Sequence, residues 1–236
     1  METKMKTEKQ TIGAIPALLW GESSDKIYIY VHGKLGCKEE AESFAQIACA
    51  KGWQVLSFDL PGHGERKQEL DRFVPWCVIP ELEEVLQYVS EGRSHTGLFA
   101  NSIGAWFSLL SFGDKPLEKA LFVSPVLDME ELIRDMMQQA CVSPEQLEEK
   151  REIPTTFGET LSWEYYTYAK EHPIKKWDCP TEILYAGKDN MTKRSTVDAF
   201  VKRFLCGLTV MEDGEHWFHT KEQLALLEKW ARKYIA

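Results

Sequence analysis

The sequence predicts an α/β fold: a mostly parallel central sheet covered by helices on both faces. Three observations carry that expectation. Short strands are apolar along their whole length, amphipathic helical stretches alternate with them, and turns rich in glycine, histidine or aspartate follow the strands. At 236 residues the chain can bury one substantial core and is too short for two full-sized domains of this class.

The elements follow in order. Thr11–Leu19 reads as an antiparallel edge strand, weakened by Pro16, which cannot donate to a ladder. Ile27–Val31 is a β-branched and aromatic run ending at His32-Gly33, and Trp53–Phe58 is another, ending at Asp59. Between them Ala41, Phe44, Ala45, Ile47 and Ala48 recur at helical spacing within Glu40–Ala50, and Gly52 stops the helix. A second helix is expected over Ile79–Val89, with Leu82, Val85, Leu86 and Val89 on one face, leading through Gly92 into an apolar strand. Helix Ile103–Phe112 follows that strand at once. Ala120–Ser124, Thr181–Ala186 and Leu208–Met211 read as further strands, with helices at Ser195–Phe204 and Lys221–Tyr234, the last capped by Thr220.

Residues 126–178 break this rhythm. They hold helical patterns at Met129–Ala140, Pro144–Arg151 (Ser143 as N-cap) and Ser162–Glu171, but no convincing strand. The expected organisation is a core of residues 1–125 and 179–236, with 126–178 inserted as a small helical cap over the strand ends, where open α/β sheets place ligand sites.

Bulk properties exclude several function classes. Hydrophobic residues make up 44% and charged residues 28%, and no apolar run approaches the ~18 residues a membrane helix needs. Net charge is −9, without a basic aromatic stripe, which argues against nucleic-acid partners and against attraction to anionic membranes. The polar stretch Met1–Gln10 lacks the apolar region of a secretory signal, so a cytoplasmic location is expected. Cys37, Cys49, Cys77, Cys141, Cys179 and Cys206 are scattered without metal-ligand spacing and read as reduced structural thiols. The oligomeric state is not readable.

The most informative stretch is Thr96–Gly104, where an apolar strand ends in Ala100-Asn101-Ser102-Ile103-Gly104 and a helix begins immediately. So tight a turn needs nearly side-chain-free positions two before and two after the serine, which Ala100 and Gly104 supply. It holds the hydroxyl at a helix start, where free N–H groups favour developing negative charge. Three other strand-end segments match: His32-Gly33-Lys34-Leu35-Gly36, Asp59-Leu60-Pro61-Gly62-His63-Gly64, and the pair Gly187-Lys188-Asp189 and Gly214-Glu215-His216.

Together with the chain order Ser, Asp, His, these segments make the sequence resemble the α/β-hydrolase superfamily over nearly its whole length. The resemblance implies Ser102 as nucleophile, His216 as base and Asp189 as the acid that fixes the imidazole's tautomer. It implies an oxyanion hole from the backbone N–H groups of Lys34 and Ile103. Ala100 stands where glycine is commoner, and Lys34 where many members carry an apolar residue. The Lys34 side chain either points to solvent or offers a cation to an anionic substrate group. Asp128, after the preceding strand, is the alternative acid, although it can equally cap a helix; Asp213 lies too near His216 in sequence. His219 competes weakly with His216. His63 and His32 carry structural roles in the resemblance, around the oxyanion loop, and His95 and His172 none.

Trp106, Trp163 and Trp217 are candidate substrate-binding residues, although burial in the core also explains Trp106 and Trp217. Tyr165, Tyr166 and Tyr168 read chiefly as packing residues. The functional expectation is a cofactor-free serine hydrolase of small or medium carboxylic esters working through an acyl-enzyme. A thioesterase or serine aminopeptidase would use the same three residues on a thioester or short peptide. A non-catalytic small-molecule-binding protein of this fold is the reading from another class.

Overall fold

The computed structural model describes residues 5–235. Eight strands form one sheet in the order β1-β2-β4-β3-β5-β6-β9-β10. They are β1 (Thr7–Ile12), β2 (Ile15–Trp20), β3 (Lys26–Val31), β4 (Gln54–Phe58), β5 (His95–Asn101), β6 (Lys119–Val123), β9 (Thr181–Ala186) and β10 (Gly207–Met211). From β4 across to β10 every neighbour is parallel, while β1 and β2 pair antiparallel at one edge.

The side-chain alternation of β3 shows why helices must cover both faces. Ile27, Ile29 and Val31 enter the core beneath α2 (Pro75–Ser90), α3 (Ile103–Phe112) and α7 (Arg194–Phe204). Tyr28 and Tyr30 enter the core beneath α1 (Glu42–Cys49) and α8 (Lys221–Tyr234). These five side chains are at most 4% exposed. Burying one such aliphatic side chain is worth about 1.5–3 kcal/mol, so a polar substitution on either face of β3 would undermine the sheet.

The insertion between β6 and β9 holds α4 (Met129–Gln139), α5 (Pro144–Lys150), β7 (Glu152–Pro154), β8 (Thr160–Ser162) and α6 (Trp163–Glu171). Its helices are capped as the sequence indicates. Asp128 caps α4, Ser143 closes a capping box with Gln146 on α5, and Ser162 caps α6. Leu132, Ile133, Met137, Leu147, Leu161 and Tyr166 bury their apolar surface in the core on the α3 side.

Four expectations need correction. The N-terminal edge is a hairpin of two strands rather than one strand over 11–19. Gly13, at φ 55°, makes the turn, and Pro16 sits beside it, its carbonyl accepting the Asp59 N–H at 3.0 Å. The helix expected from Ile79 starts at Pro75, because a proline in the first turn gives up no helical hydrogen bond. Pro80, one turn later, is tolerated inside it. The helix expected over Glu40–Ala50 opens as a 3₁₀ turn, Lys38–Ala41, before α1 begins. The stretch expected to lack strands carries the β7–β8 pair, three residues each, too short for a period-2 pattern to register.

Candidate active site

Ser102 follows β5 and caps α3 with φ 49° and ψ −121°, a conformation that costs a non-glycine residue about 1–3 kcal/mol. The surroundings impose it. The Ser102 N–H donates to the Val123 carbonyl at 3.0 Å, and the Ser102 carbonyl accepts from Ala105 and Val126. Gly104 must lack a side chain, since a Cβ there would stand 2.5 Å from the His32 carbonyl oxygen and 2.9 Å from that of Val31. Ala100 is fully buried, and its methyl is accommodated in the core.

Three distant segments meet above the sheet. Ser102 Oγ lies 2.8 Å from His216 Nε2, and His216 Nδ1 lies 2.7 Å from Asp189 Oδ2. A carboxylate only accepts, so Nδ1 carries the hydrogen and Nε2 is left to accept the serine O–H. Asp189 is fully buried as a side chain, and its other oxygen accepts the Met191 and Thr192 N–H groups at 2.7 and 3.0 Å. The loops bearing Asp189 and His216 are tied together. Gly187 N–H donates to Met211 and Lys188 N–H to Gly214, each at 2.8 Å. A Cβ on Gly187 would stand 2.3 Å from the Glu212 oxygen, so only glycine lets the two loops approach.

The alternative acids are placed elsewhere. Asp128 is exposed and its carboxylate accepts the Glu131 N–H at 2.9 Å, as an N-cap does. Asp213 pairs with Lys188 at 2.8 Å on the surface. His219 is turned away, hydrogen-bonded to the Trp217 carbonyl and stacked on the Trp217 ring at 4.9 Å.

The loop after β3 brings the Lys34 backbone beside the serine. A Cβ on neighbouring Gly33 would lie 3.3 Å from Ser102 Cβ. Among the described residues, neither the Lys34 N–H nor the Ile103 N–H has a hydrogen-bond acceptor, leaving two free donors near Ser102. Two neutral imidazoles clasp this loop to the one after β4. His32 Nδ1–H donates to the Gly33 carbonyl at 2.7 Å while its Nε2 accepts the Leu60 N–H at 3.0 Å. Reciprocally, His63 Nδ1–H donates to Pro61 at 2.8 Å and its Nε2 accepts the Leu35 N–H at 3.0 Å. Burial pushes His32 down to about 4 and lowers His63 as well, which keeps both rings in the neutral form that can accept.

Beneath the clasp lies a charged network that the sequence did not announce. Lys38 is 1% exposed and donates to Asp59 Oδ2 at 2.6 Å, while Asp59 also accepts the Lys38 and Glu65 N–H groups. Burial opposes the Lys38 charge, but hydrogen bonds to Asp59, Glu65 and Glu39 outweigh it and raise its pKa. Gly64, at φ 54°, lies so close that a Cβ would overlap the Asp59 carboxylate.

The Lys34 side chain meets the insertion, where Nζ hydrogen-bonds both carboxylate oxygens of Glu159. No local spacing links residues 34 and 159, so sequence reading had no signal for this pair. The Met191 and Thr192 amides on Asp189 were also missed, although an aspartate accepting amides two and three residues on is a common turn signature.

The tryptophans divide. Trp106 is 2% exposed and stacks on Tyr165 at 5.9 Å. It walls a cavity of about 200 Å³ with Leu127, Met129, Ile174 and Phe200. Trp163 walls another, of about 330 Å³, with Trp76 and Tyr168. A cleft of about 720 Å³ runs between α4 and α7, lined by Asp128, Glu131, Arg134, Asp135, Lys193 and Thr196. Ser102, Asp189 and His216 line none of these three. Trp217, for which core burial was one expectation, is 75% exposed. Turning His216 toward Ser102 throws the next side chain outward.

Among the described residues no group of three or more His, Cys, Asp or Glu is placed to hold a metal ion, and no helix is long and apolar enough to cross a membrane. The six cysteines are all unpaired.

No protein-family model matches the sequence, and no curated protein does. Many solved structures share its shape. Est1E from Butyrivibrio proteoclasticus, solved with ferulic acid bound, aligns with a TM-score of 0.77 at 17% identity, covering 97% of each chain. Mouse alpha/beta hydrolase domain-containing protein 10 aligns at 0.74 and 16% identity, over 99% of this chain and 98% of that one. The thioesterase domain from the curacin biosynthetic pathway aligns at 0.62 and 15% identity, over 97% and 99%. The chain has the α/β-hydrolase fold.

Proposed function

We propose that this protein is a serine hydrolase that cleaves a small or medium carboxylic ester through an acyl-enzyme. The observation that carries the reading is the unbroken series from Ser102 Oγ through His216 to Asp189, at 2.8 and 2.7 Å. In the first half-reaction His216 Nε2 takes the Ser102 proton as Oγ bonds to the substrate carbonyl carbon. The carbonyl oxygen becomes an oxyanion held by the Lys34 and Ile103 N–H groups. Collapse of this intermediate breaks the bond to the leaving alcohol, whose oxygen receives the proton from His216. Water, deprotonated by the same imidazole, then attacks the acyl-enzyme, and the acid leaves as Ser102 regains its proton. Each oxyanion donor is worth about 3–4 kcal/mol in such a transition state, which is why a loop holding one must be rigid. No step calls for a metal or organic cofactor.

Segment 126–178 serves in this reading as a cap that shapes the approach to Ser102. The fold neighbours include both an esterase and a thioesterase, so a thioester remains the rival leaving group, with the serine aminopeptidase reaction and passive small-molecule binding behind it. The test is labelling with a fluorophosphonate probe, followed by turnover of p-nitrophenyl esters of varied chain length, an acyl-CoA and an aminoacyl anilide. Covalent modification at Ser102, abolished in Ser102→Ala, is expected, with the short esters turned over fastest. Well-folded protein that neither labels nor turns over any of them would make this a binding protein. Ser102→Ala should leave thermal stability within about 1 kcal/mol, as for a half-buried hydroxyl outside the apolar core.

A further inference from the structure

The loop carrying Lys34 has little of its own to keep it in place. It runs from Gly33 through Leu35, at φ 67°, to Gly36, whose N–H donates to the Gly33 carbonyl at 3.1 Å. The two imidazoles hold it on one side, His32 by donating to the Gly33 carbonyl and His63 by accepting the Leu35 N–H. The hold on the Lys34 side chain comes from the insertion, 125 residues away, where Glu159 takes the ammonium on both carboxylate oxygens.

Glu159 is a fixed point. It ends a turn closed three times by Thr155. The Thr155 N–H and hydroxyl donate to the Glu159 carbonyl at 2.8 and 2.7 Å, and the Thr155 hydroxyl oxygen accepts the Glu159 N–H at 3.1 Å. β7 and β8 flank that turn, Leu161 on β8 is 3% exposed, and the Trp163 N–H bonds to the Arg151 carbonyl at the hairpin's base. The carboxylate is therefore presented from a braced hairpin rather than a free strap.

We propose that Glu159 is a positioning residue for the oxyanion peptide: by holding the Lys34 side chain it keeps the Lys34 N–H aimed beside Ser102, and turnover depends on how the insertion is seated. The inference rests on the serine-hydrolase reading. It also means that the Lys34 ammonium is already engaged and does not recruit an anionic substrate. Both side chains are partly open to solvent, 42% and 37% exposed, so screening limits the effect to a few-fold.

The test is steady-state kinetics on a neutral p-nitrophenyl ester, at low salt and in about 1 M NaCl, where screening acts over about 3 Å. The variants are Glu159→Gln, Lys34→Gln, their double, and the swap Lys34→Glu/Glu159→Lys. Amide exchange of residues 33–36 is followed alongside, and Glu228→Gln, which breaks a distant surface pair with Arg232, is the control. Each single variant should lower kcat about two- to five-fold, equivalent to about 0.4–1 kcal/mol, with KM nearly unchanged. The double should be no worse than either single, the swap should recover most of the loss, and the 33–36 amides should exchange faster in Glu159→Gln. High salt should bring the wild type toward the variants.

Unchanged kcat and exchange in Glu159→Gln would overturn the inference. So would additive losses in the double, or a gain in kcat/KM for an anionic ester when Glu159 is removed. If the wild type neither labels at Ser102 nor turns over, the hydrolase reading fails by itself. The exchange measurement then decides alone: faster exchange in Glu159→Gln upholds the hold on the loop, and unchanged exchange refutes it.

Discussion

Replacing Asp189 by asparagine separates the two acids the sequence offered. The Asp189 carboxylate accepts three hydrogen bonds, from Met191, Thr192 and His216. An asparagine that keeps its oxygen toward the two amides must turn its NH₂ toward His216 Nδ1. A donor now faces a donor, so the imidazole moves its hydrogen to Nε2 and can no longer accept the Ser102 proton. In the serine-protease triad, the equivalent exchange costs about 10⁴ in kcat. Here the same order is expected, about 5.5 kcal/mol of transition-state stabilisation at 1.36 kcal/mol per decade. Asp128→Asn, by contrast, keeps an N-cap of equal quality and should leave kcat within about two-fold. The assay is initial-rate hydrolysis of a p-nitrophenyl ester, with thermal melts to show that both variants fold. A folded Asp189→Asn that keeps a tenth of wild-type kcat, or an Asp128→Asn that loses more, would refute the assignment of the acid.

Gly104→Ala should damage turnover although alanine is the better helix former by about 1 kcal/mol, because its Cβ would stand 2.5 Å from the His32 carbonyl oxygen. α3 must then back away from β3, shifting Ser102 off His216, and a fall in kcat of about tenfold or more is expected with a loss of about 1–3 kcal/mol in stability; a more stable, fully active variant would show the elbow is not so tightly packed. Acidification should weaken the fold through His32. Its folded pKa is about 4 against 6.5 for the free group, so the unfolded chain takes up the proton first. Stability is whole above pH 6.5 and declines as pH falls toward 4, by about 3 kcal/mol over that window. Urea midpoints measured between pH 7.5 and 4.5 should fall more steeply in the wild type than in His32→Asn, and equal slopes would remove His32 as the cause.

Elements whose signals are local were legible to the residue. Thr181–Ala186 carries the apolar run Ile183–Ala186, and Lys221–Tyr234 opens on a Thr220–Gln223 capping box that fixes its start. The hairpin at the N-terminus was half missed because β1 is polar on both faces: Thr7, Glu8, Lys9 and Thr11 are all exposed, as an outermost strand allows. The start of α2 was missed because the apolar face that signals the helix is built by Leu82, Val85, Leu86 and Val89, beyond its first turn, where Pro75 sits without losing a hydrogen bond. Ser102, Asp189 and His216, which the structure brings into hydrogen-bonded contact, each carry a local mark at a strand end: a small residue two places from Ser102, glycine two before Asp189, and glycine two before His216.

Residues that act across the site obey no such local rule, and sequence adjacency misleads about them. Trp217 neighbours His216 in the chain and yet lies in solvent, because the backbone bends at these two residues and adjacency there sets no common direction. Trp106 lies one turn along α3 from Ser102, yet it is buried and walls a cavity that Ser102 does not line. The long-range contacts that bear on the Lys34 loop come instead from His63 and Glu159, the first placed by the loop after β4 and the second by a hairpin whose strands are three residues long. Their partners can be found only once the chain is folded, because the constraint acts on where a backbone N–H points, and that direction leaves no trace in the residue types on either side of it. A lysine at position 34 is then compatible with the oxyanion role: its side chain is drawn away from the serine to Glu159 while its N–H stays behind.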